Sequence, residues 1–200
     1  MTSTDNSTPI ELTRNIHIII DVLNDYISGS MASLHAKEAI NKIIERINTH
    51  SNEEVLYICD AHPSNHCSFT EHGGPWPPHC IKLSFGQQID LAFYTRVLHP
   101  SHRPRISDNI FEKGQSPHHE EYSGYHAISR TGKTLRSTLP PSSHITISGI
   151  PTEHCILETV KELIQAGHQI TVLQDGLAYL SIESHRSSLS QMRELGARTL

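Results

Sequence analysis

The sequence predicts a single three-layer α/β domain, in which a mostly parallel β-sheet carries helices on both faces. Two observations predict this fold. Short runs rich in β-branched residues alternate along the chain with segments whose apolar residues recur at helical spacing, which is the order of right-handed βαβ units. In addition, 200 residues with a hydrophobic content of 36% are enough to bury one sizeable core. A second domain is therefore not expected.

Five apolar runs are predicted to be buried strands, because each is short and rich in Ile, Val and other strand-forming residues. The helical segments between them favour parallel pairing. In chain order the predicted strands are "IHIIID" (16–21), "EVLYICD" (54–60), "NIFEKG" (109–114), "HITISG" (144–149) and "QITVLQD" (169–175).

Three segments are predicted to be amphipathic helices. They are "AKEAINKIIERINTH" (36–50), "EHCILETVKELIQAG" (153–167) and "IESHRSSLSQMRELGA" (182–197). The second is expected to end on Gly167 as a C-cap. The segment 61–106, rich in Pro, Gly and His, shows only weak periodicity and is predicted to be a functional loop. The polar residues 1–15 are predicted to be a flexible N-terminus, which leaves 16–200 as the folded domain.

Composition argues against large charged partners. The formal net charge is -5 and no long Lys/Arg run is present, so neither nucleic acid nor an anionic membrane is an expected partner. No stretch approaches the roughly 20 apolar residues of a membrane-spanning helix, and the N-terminus lacks the order of a signal peptide. The four cysteines are irregularly spaced and are expected to be free thiols. We expect a cytoplasmic protein that acts on a small molecule.

Reactive side chains follow four of the predicted strands, at the edge of a parallel sheet where ligands bind. They are Asp21, Asp60, Lys113 and Cys155. Cys155 lies near the first turn of a helix, where the macrodipole and a nearby ammonium favour the thiolate. Asp21 is then expected to take the thiol proton, while Lys113 lowers the pKa of the thiol. The alternative is that Cys155 is a small buried hydrophobe, as free cysteines often are.

A second cluster has the composition of a metal site. Asp60 and His62 form an Asp-x-His pair at a strand end, and the stiff, proline-framed "WPPHC" (76–80) presents His79. Two imidazoles and one carboxylate suit a divalent cation, with Zn²⁺ preferred over Fe²⁺ or Mn²⁺. His66 is a weaker candidate, either as a fourth ligand or as a partner that supports a ligand. The alternative is chance, because histidine is abundant in this chain.

Together these motifs resemble those of the nicotinamidases (pyrazinamidases) in the isochorismatase-like cysteine hydrolase superfamily. The resemblance runs from about residue 16 to the C-terminus and implies an isochorismatase-like, Rossmann-like fold. It also implies cleavage of nicotinamide to nicotinate and ammonia, and of pyrazinamide to pyrazinoate. The motifs that carry it are "DVLNDY" (21–26), "DAHPSNHCSF" (60–69), "WPPHC", "EKG" (112–114), "YSGYHA" (122–127) and "GIPTEHCILET" (149–159).

The resemblance also implies roles for individual residues. Asp21, Lys113 and Cys155 match the family's catalytic triad, and Asp60, His62 and His79 match its metal ligands. Tyr26, Trp76 and Ile150 are expected to contact the substrate, the two aromatic residues against its pyridine ring. The family's metal binds the ring nitrogen and so orients the carboxamide. Relatives are often oligomeric, which makes a homo-oligomer possible.

Two positions depart from the family pattern. Leu23 stands where relatives often have Gln, and Pro151 stands where they commonly have Ala after a cis peptide bond. Proline favours the cis Ile150–Pro151 bond but supplies no N–H group. In relatives that N–H is part of the oxyanion hole, so the Cys155 N–H is expected to act alone or with the Thr152 N–H. Without such a substitute, a slower enzyme is expected.

Three other functions stay open at the level of sequence. One is a related amidohydrolase acting on a ureido or carbamoyl compound. Another is a zinc hydrolase in which metal-bound water attacks the substrate and Cys155 is incidental. The third is a metal- or ligand-binding protein without catalysis, since a fold does not fix a function.

Overall fold

The computed structural model of the protein describes residues 13–200, and its centre is a seven-stranded sheet. The strands lie in the order β4-β3-β2-β1-β5-β6-β7. All neighbouring strands are parallel except β4, which pairs antiparallel with β3. The bounds are β1 Asn15–Ile20, β2 Glu54–Asp60, β3 Ile110–Lys113, β4 Ile128–Ser129, β5 His144–Gly149, β6 Gln169–Leu177 and β7 Arg198–Thr199.

Three long helices and several short ones connect the strands. A π-helical turn, Thr152–Ile156, leads directly into α5, and short 3₁₀ turns occur at Thr70–His72 and Pro100–His102. The helices are α1 Asn24–Ile27, α2 Ala36–Thr49, α3 Ala92–Thr95, α4 Leu135–Thr138, α5 Leu157–Gln165 and α6 Ile182–Glu194.

The sheet separates two hydrophobic cores. On one face Ile40 and Ile43 of α2 pack with Ile19, and on the other Val160 of α5 and Met192 of α6 belong to the second core. Alternate residues of β1 enter opposite cores, which is why this central strand reads as a continuous apolar run. The predicted three-layer α/β fold is confirmed.

Each of the five predicted strands is present, and the structure adds two that the sequence did not predict. β4 and β7 have two residues each, too few to show any alternation of apolar and polar residues. The helix predicted over 153–167 begins as the π-helical turn, and Gly167 has the left-handed conformation expected after its end. The last helix ends at Glu194, three residues earlier than predicted.

The remaining expectations concern the loop and the termini. The segment 61–106 contains no element longer than the four residues of α3. Most of the predicted flexible segment 1–15 lies outside the described residues, and Asn15 already belongs to β1. Within residues 13–200, no helix combines the length and apolar character needed to cross a bilayer.

Topology fixes where a ligand can bind. From the central β1 the chain builds outward to β2 and β3 on one side, and then returns to add β5 on the other. The order therefore reverses between β1 and β5. In sheets of this kind the crevice beyond the carboxyl ends of the strands at such a reversal is the usual binding position. The polar strand ends meet there.

Candidate active site

Four neighbouring strands deliver the predicted triad and one metal-ligand candidate to one point. Asp21 directly follows β1, Asp60 ends β2, Lys113 ends β3, and Cys155 lies in the π-helical turn that follows β5. These strands are adjacent in the sheet, so the four side chains converge. Each is at most 2% exposed.

Lys113 lies at the centre of this group. Its Nζ is 3.0 Å from Asp21 Oδ2 and 2.5 Å from Asp60 Oδ1, and it donates to Cys155 Sγ at 3.3 Å. A buried ammonium is tolerated only with such partners, because an unpaired charge is costly to bury. The lysine therefore joins the nucleophile candidate to both carboxylates.

Backbone contacts fix the orientation of Asp21. Its φ of 52° is left-handed, and its N–H donates to the Ile58 carbonyl oxygen at 2.9 Å. The N–H of Asp60 in turn donates to Asp21 Oδ1 at 2.8 Å. One carboxylate oxygen is thus held by β2, while the other faces Lys113 and Cys155.

The electrostatics differ from the expectation of a resting thiolate. Burial raises the pKa of the Cys155 thiol well above its usual range; Lys113 opposes this shift, whereas the charges of Asp21 and Asp60 add to it. Burial and the charge of Asp60 raise the pKa of Asp21 to about 6. For Lys113, burial alone lowers the pKa, but Asp21 and Asp60 raise it well above the ordinary value. The resting site therefore holds a neutral thiol beside an ionised Asp21 near pH 7.

The proposed metal ligands also meet. Donor atoms of Asp60, His62 and His79 all lie within 4.8 Å of one another. His62 Nδ1 donates to the Gly114 carbonyl oxygen at 2.9 Å, and His79 Nδ1 donates to the Pro77 carbonyl oxygen at 2.8 Å. With Nδ1 as the donor, Nε2 is the ligating atom of each neutral imidazole, which is the usual arrangement of metal-binding histidines. This donor set fits a divalent cation such as Zn²⁺.

Two local features hold these imidazoles. Gly114 has a φ of +66°, and a Cβ at this position would lie 2.4 Å from His62 Cε1, so only glycine allows the carbonyl to approach the ring. Asp25 Oδ2 accepts the N–H of Cys80 at 2.7 Å and thereby anchors the residue next to His79. The motifs "EKG" and "DVLNDY" thus have a structural role as well.

His66 is fully buried beside this cluster. The Ser68 N–H donates to His66 Nδ1 at 3.3 Å, and the Ser68 hydroxyl lies 2.7 Å from the same atom. If Nδ1 accepts, Nε2 carries the ring hydrogen, and within the described residues this atom has no hydrogen-bond partner. Donor atoms of His62, His66 and Glu120 also lie within 4.8 Å of one another, so His66 stays a candidate both as a ligand and as a residue that supports a ligand.

A small cavity lies over Cys155 and the metal-ligand group. Its volume is about 10 Å³, which is room for a single water molecule. A larger groove of about 690 Å³ contains none of the triad and none of the metal-ligand candidates. The small cavity is lined by Tyr26, Met31, Asp60, His62, Trp76, His79, Glu120, Tyr122, Pro151, His154 and Cys155.

Aromatic side chains form one wall of this cavity. Trp76 Nε1 donates to the Tyr122 hydroxyl at 3.1 Å, and the rings of Tyr122 and His154 stack with centroids 5.2 Å apart. Sequence reasoning assigned no role to Tyr122 or His154, although both lie within motifs that carried the family resemblance. The available signal was that Tyr122 is the first residue of "YSGYHA" and that His154 directly precedes Cys155.

The structure bears on four expectations about residues near Cys155, and it corrects the one for Thr152. Ile150 is fully buried in the core on the α2 face and is not among the residues that line the cavity, so its contact with the substrate stays a prediction. The Thr152 N–H donates to the Ala178 carbonyl oxygen at 2.9 Å and is therefore not available as a second oxyanion donor. The Ile150–Pro151 bond is cis, as expected. Leu23 is buried in the same core as Ile150.

Comparisons with known proteins give the same family throughout. The profile of the isochorismatase domain matches residues 15–200. The nicotinamidase of Escherichia coli (strain K12) is 25% identical over 193 residues, which cover 86% of this chain and 86% of the relative. The nicotinamidase/pyrazinamidase of Mycobacterium tuberculosis (strain ATCC 25618 / H37Rv) is 27% identical over 183 residues, which cover 88% and 92%.

A solved structure shares both the fold and this level of identity. The pyrazinamidase of Pyrococcus horikoshii in complex with zinc superimposes with a TM-score of 0.77 at 25% identity, over 94% of this chain and 98% of the other. The resemblance inferred from the motifs is thereby confirmed. Because the domain profile spans nearly all of the described residues, the chain belongs to the isochorismatase domain family.

Proposed function

We propose that the protein hydrolyses nicotinamide to nicotinate and ammonia, and pyrazinamide to pyrazinoate. Family membership and the nicotinamidase relatives make the chain a hydrolase acting on amides. The observation that carries the finer proposal is the contact of Lys113 Nζ with Cys155 Sγ and two carboxylates, next to the Asp60, His62 and His79 cluster. In this proposal Cys155 is the nucleophile, and the neighbouring cluster anchors the ring of the substrate.

The first half of the reaction forms a thioester. Cys155 Sγ attacks the amide carbon while its proton passes to the Asp21 carboxylate, which is ionised near pH 7 and buried beside the sulfur. As the C–N bond breaks, Asp21 returns that proton to the leaving nitrogen, and ammonia departs. A pKa of about 6 suits a group that must both accept and donate a proton.

The second half restores the enzyme. Asp21 takes a proton from a water molecule that attacks the thioester carbon, the C–S bond breaks, and the proton returns to Cys155 as the acid leaves. Lys113 stays charged throughout, because the two carboxylates hold its pKa high. Its ammonium stabilises the sulfur anion whenever the thiol proton has moved to Asp21.

The metal-ligand group serves to position the substrate. Asp60, His62 and His79 would hold the cation, which when bound supplies a Lewis acid for the ring nitrogen. Zn²⁺ is the proposed ion, since the donor set suits it and the Pyrococcus horikoshii relative is a zinc complex. Tyr26 and Trp76 are proposed to flank the flat ring, where stacking contributes about 1 kcal/mol.

The decisive experiment measures ammonia release from nicotinamide by the wild type and by Cys155→Ala, each with and without a chelator. We expect the substitution to abolish turnover whether or not Zn²⁺ is supplied. Chelation of the wild type should lower activity, and added Zn²⁺ should restore it. The matched control is Cys67→Ala, which removes a partly exposed thiol that is not part of the cavity lining.

The same experiment separates the alternatives. Activity that survives Cys155→Ala but not chelation would indicate a zinc hydrolase with an incidental cysteine. Release of ammonia from carbamoyl compounds but not from nicotinamide would identify the other amidohydrolase class. A protein that binds Zn²⁺ yet releases no ammonia from any amide would support a binding protein.

A further inference from the structure

The hydroxyl of Tyr26 has a partner that its expected role against the substrate ring does not require. Tyr26 lies in α1 and is 3% exposed. Its hydroxyl donates to Asp60 Oδ2 at 2.7 Å. A ring that only packs against a substrate needs no such bond, and phenylalanine would suffice there. The hydroxyl is therefore directed at the candidate ligand Asp60.

This bond completes the contacts of the Asp60 carboxylate. The other oxygen, Oδ1, receives the Lys113 ammonium, so each oxygen has a donor of its own. Two donors on opposite oxygens fix the rotation of the carboxylate plane about the Cβ–Cγ bond. Held in this way, Oδ2 lies 3.6 Å from His62 Nε2. That edge of the carboxylate faces the other donor atoms of the cluster.

The ring of Tyr26 makes a second contact with the same cluster. Its centroid is 5.6 Å from that of His79, at an interplanar angle of 63°, so the tyrosine adjoins a second ligand candidate. Removing the hydroxyl alone would keep this edge contact and the lining of the cavity. The two roles of Tyr26, ring and hydroxyl, can thus be separated by a single substitution.

We infer that Tyr26 is a positioning residue for the metal site, whose hydroxyl orients Asp60 Oδ2 towards the cation. The inference rests on the metal site of the proposed function. Hydrogen-bonded partners of metal ligands typically contribute 10- to 100-fold to metal affinity. Without the hydroxyl, Asp60 keeps its lysine contact but is free to rotate about it, and the three donor atoms are no longer prearranged.

The test is the Zn²⁺ affinity of Tyr26→Phe, measured by competition with a chromophoric chelator in the absence of substrate. We expect binding about 10- to 100-fold weaker than in the wild type. The matched control is Tyr57→Phe, since the Tyr57 side chain is fully buried and its hydroxyl donates to the His102 carbonyl oxygen at 2.7 Å, outside the cluster. The control should bind Zn²⁺ within about twofold of the wild type.

Both variants are measured at a temperature at which circular dichroism shows them folded. Unchanged or tighter Zn²⁺ binding by Tyr26→Phe would overturn the inference, as would an equal loss in both variants. A raised KM for nicotinamide with unchanged Zn²⁺ affinity would instead place the hydroxyl on the substrate. Because Zn²⁺ binding is read without turnover, a wild type that binds Zn²⁺ but hydrolyses no amide would defeat the proposed function alone.

Discussion

Acidification is expected to destabilise the fold through His17, a residue outside the active site. His17 is fully buried in β1, and its Nε2 lies 2.8 Å from the Ser148 hydroxyl oxygen. Burial, assisted by the positive charge of Arg46 and by His50, lowers the pKa of His17 from 6.5 to about 3. Arg46 itself forms an ion pair with Glu53.

The sign and size of the effect follow from linkage. Above pH 6.5 the His17 imidazole is neutral in both the folded and the unfolded chain, so it contributes nothing to the pH dependence of stability. Below that value the unfolded chain binds a proton that the folded chain rejects, so stability falls until the folded form also titrates near pH 3. Each pH unit in this window costs about 1.4 kcal/mol. Between pH 8 and pH 5 the loss is thus about 2 kcal/mol.

The assay is urea unfolding of the wild type and of His17→Gln at both pH values. Glutamine keeps a polar contact for Ser148 but does not titrate, so the pH-dependent loss should shrink by about 2 kcal/mol. The control is His144→Gln, because His144 is an exposed residue of the neighbouring β5. If His17→Gln loses as much stability as the wild type on acidification, His17 does not carry the effect.

Three further substitutions test the site. Asp21→Asn should lower kcat for ammonia release by about 10²- to 10⁴-fold in protein that circular dichroism shows to be folded, because the proton acceptor is lost; near-normal kcat would contradict its role as base. Gly114→Ala should weaken Zn²⁺ binding by at least about tenfold in a chelator competition, since its Cβ would displace the His62 ring; intact binding would show that the ring need not stay in place. Pro151→Ala supplies a second N–H donor for the oxyanion hole, a role that the Thr152 N–H cannot fill because it is bonded to the Ala178 carbonyl oxygen. Turnover should therefore hold or rise, and a fall would refute the missing-donor argument.

Strand ends were predictable because their signal is local. A buried parallel strand is a continuous apolar run, and the first polar residue after it marks the edge of the sheet, as for Asp21 and Asp60. Their convergence with Lys113 and Cys155 then followed from the topology. The short β4 and β7 carry no such signal, since two residues show no pattern.

Contacts between side chains distant in sequence were not predictable. The bond from Tyr26 to Asp60 joins residues 34 positions apart, and their distance in space depends on the fold as a whole. The state of the Cys155 thiol depends on a balance: position near a helix start and Lys113 favour the thiolate, but burial outweighs both. A sequence shows which charges are nearby in the chain but not how much water is excluded around them.

The aromatic wall over Cys155 has a consequence for substrate choice. Because the cavity has space for about one water molecule, the proposed function requires that side chains of its lining move before a pyridine ring can bind. Under the proposed function, this movement is a step that precedes substrate binding. Amides too bulky to pass the aromatic wall are then expected to be excluded from the cavity, before they can react with the Cys155 sulfur. Substrate selectivity would then arise at two steps, entry into the cavity and reaction with the Cys155 thiol.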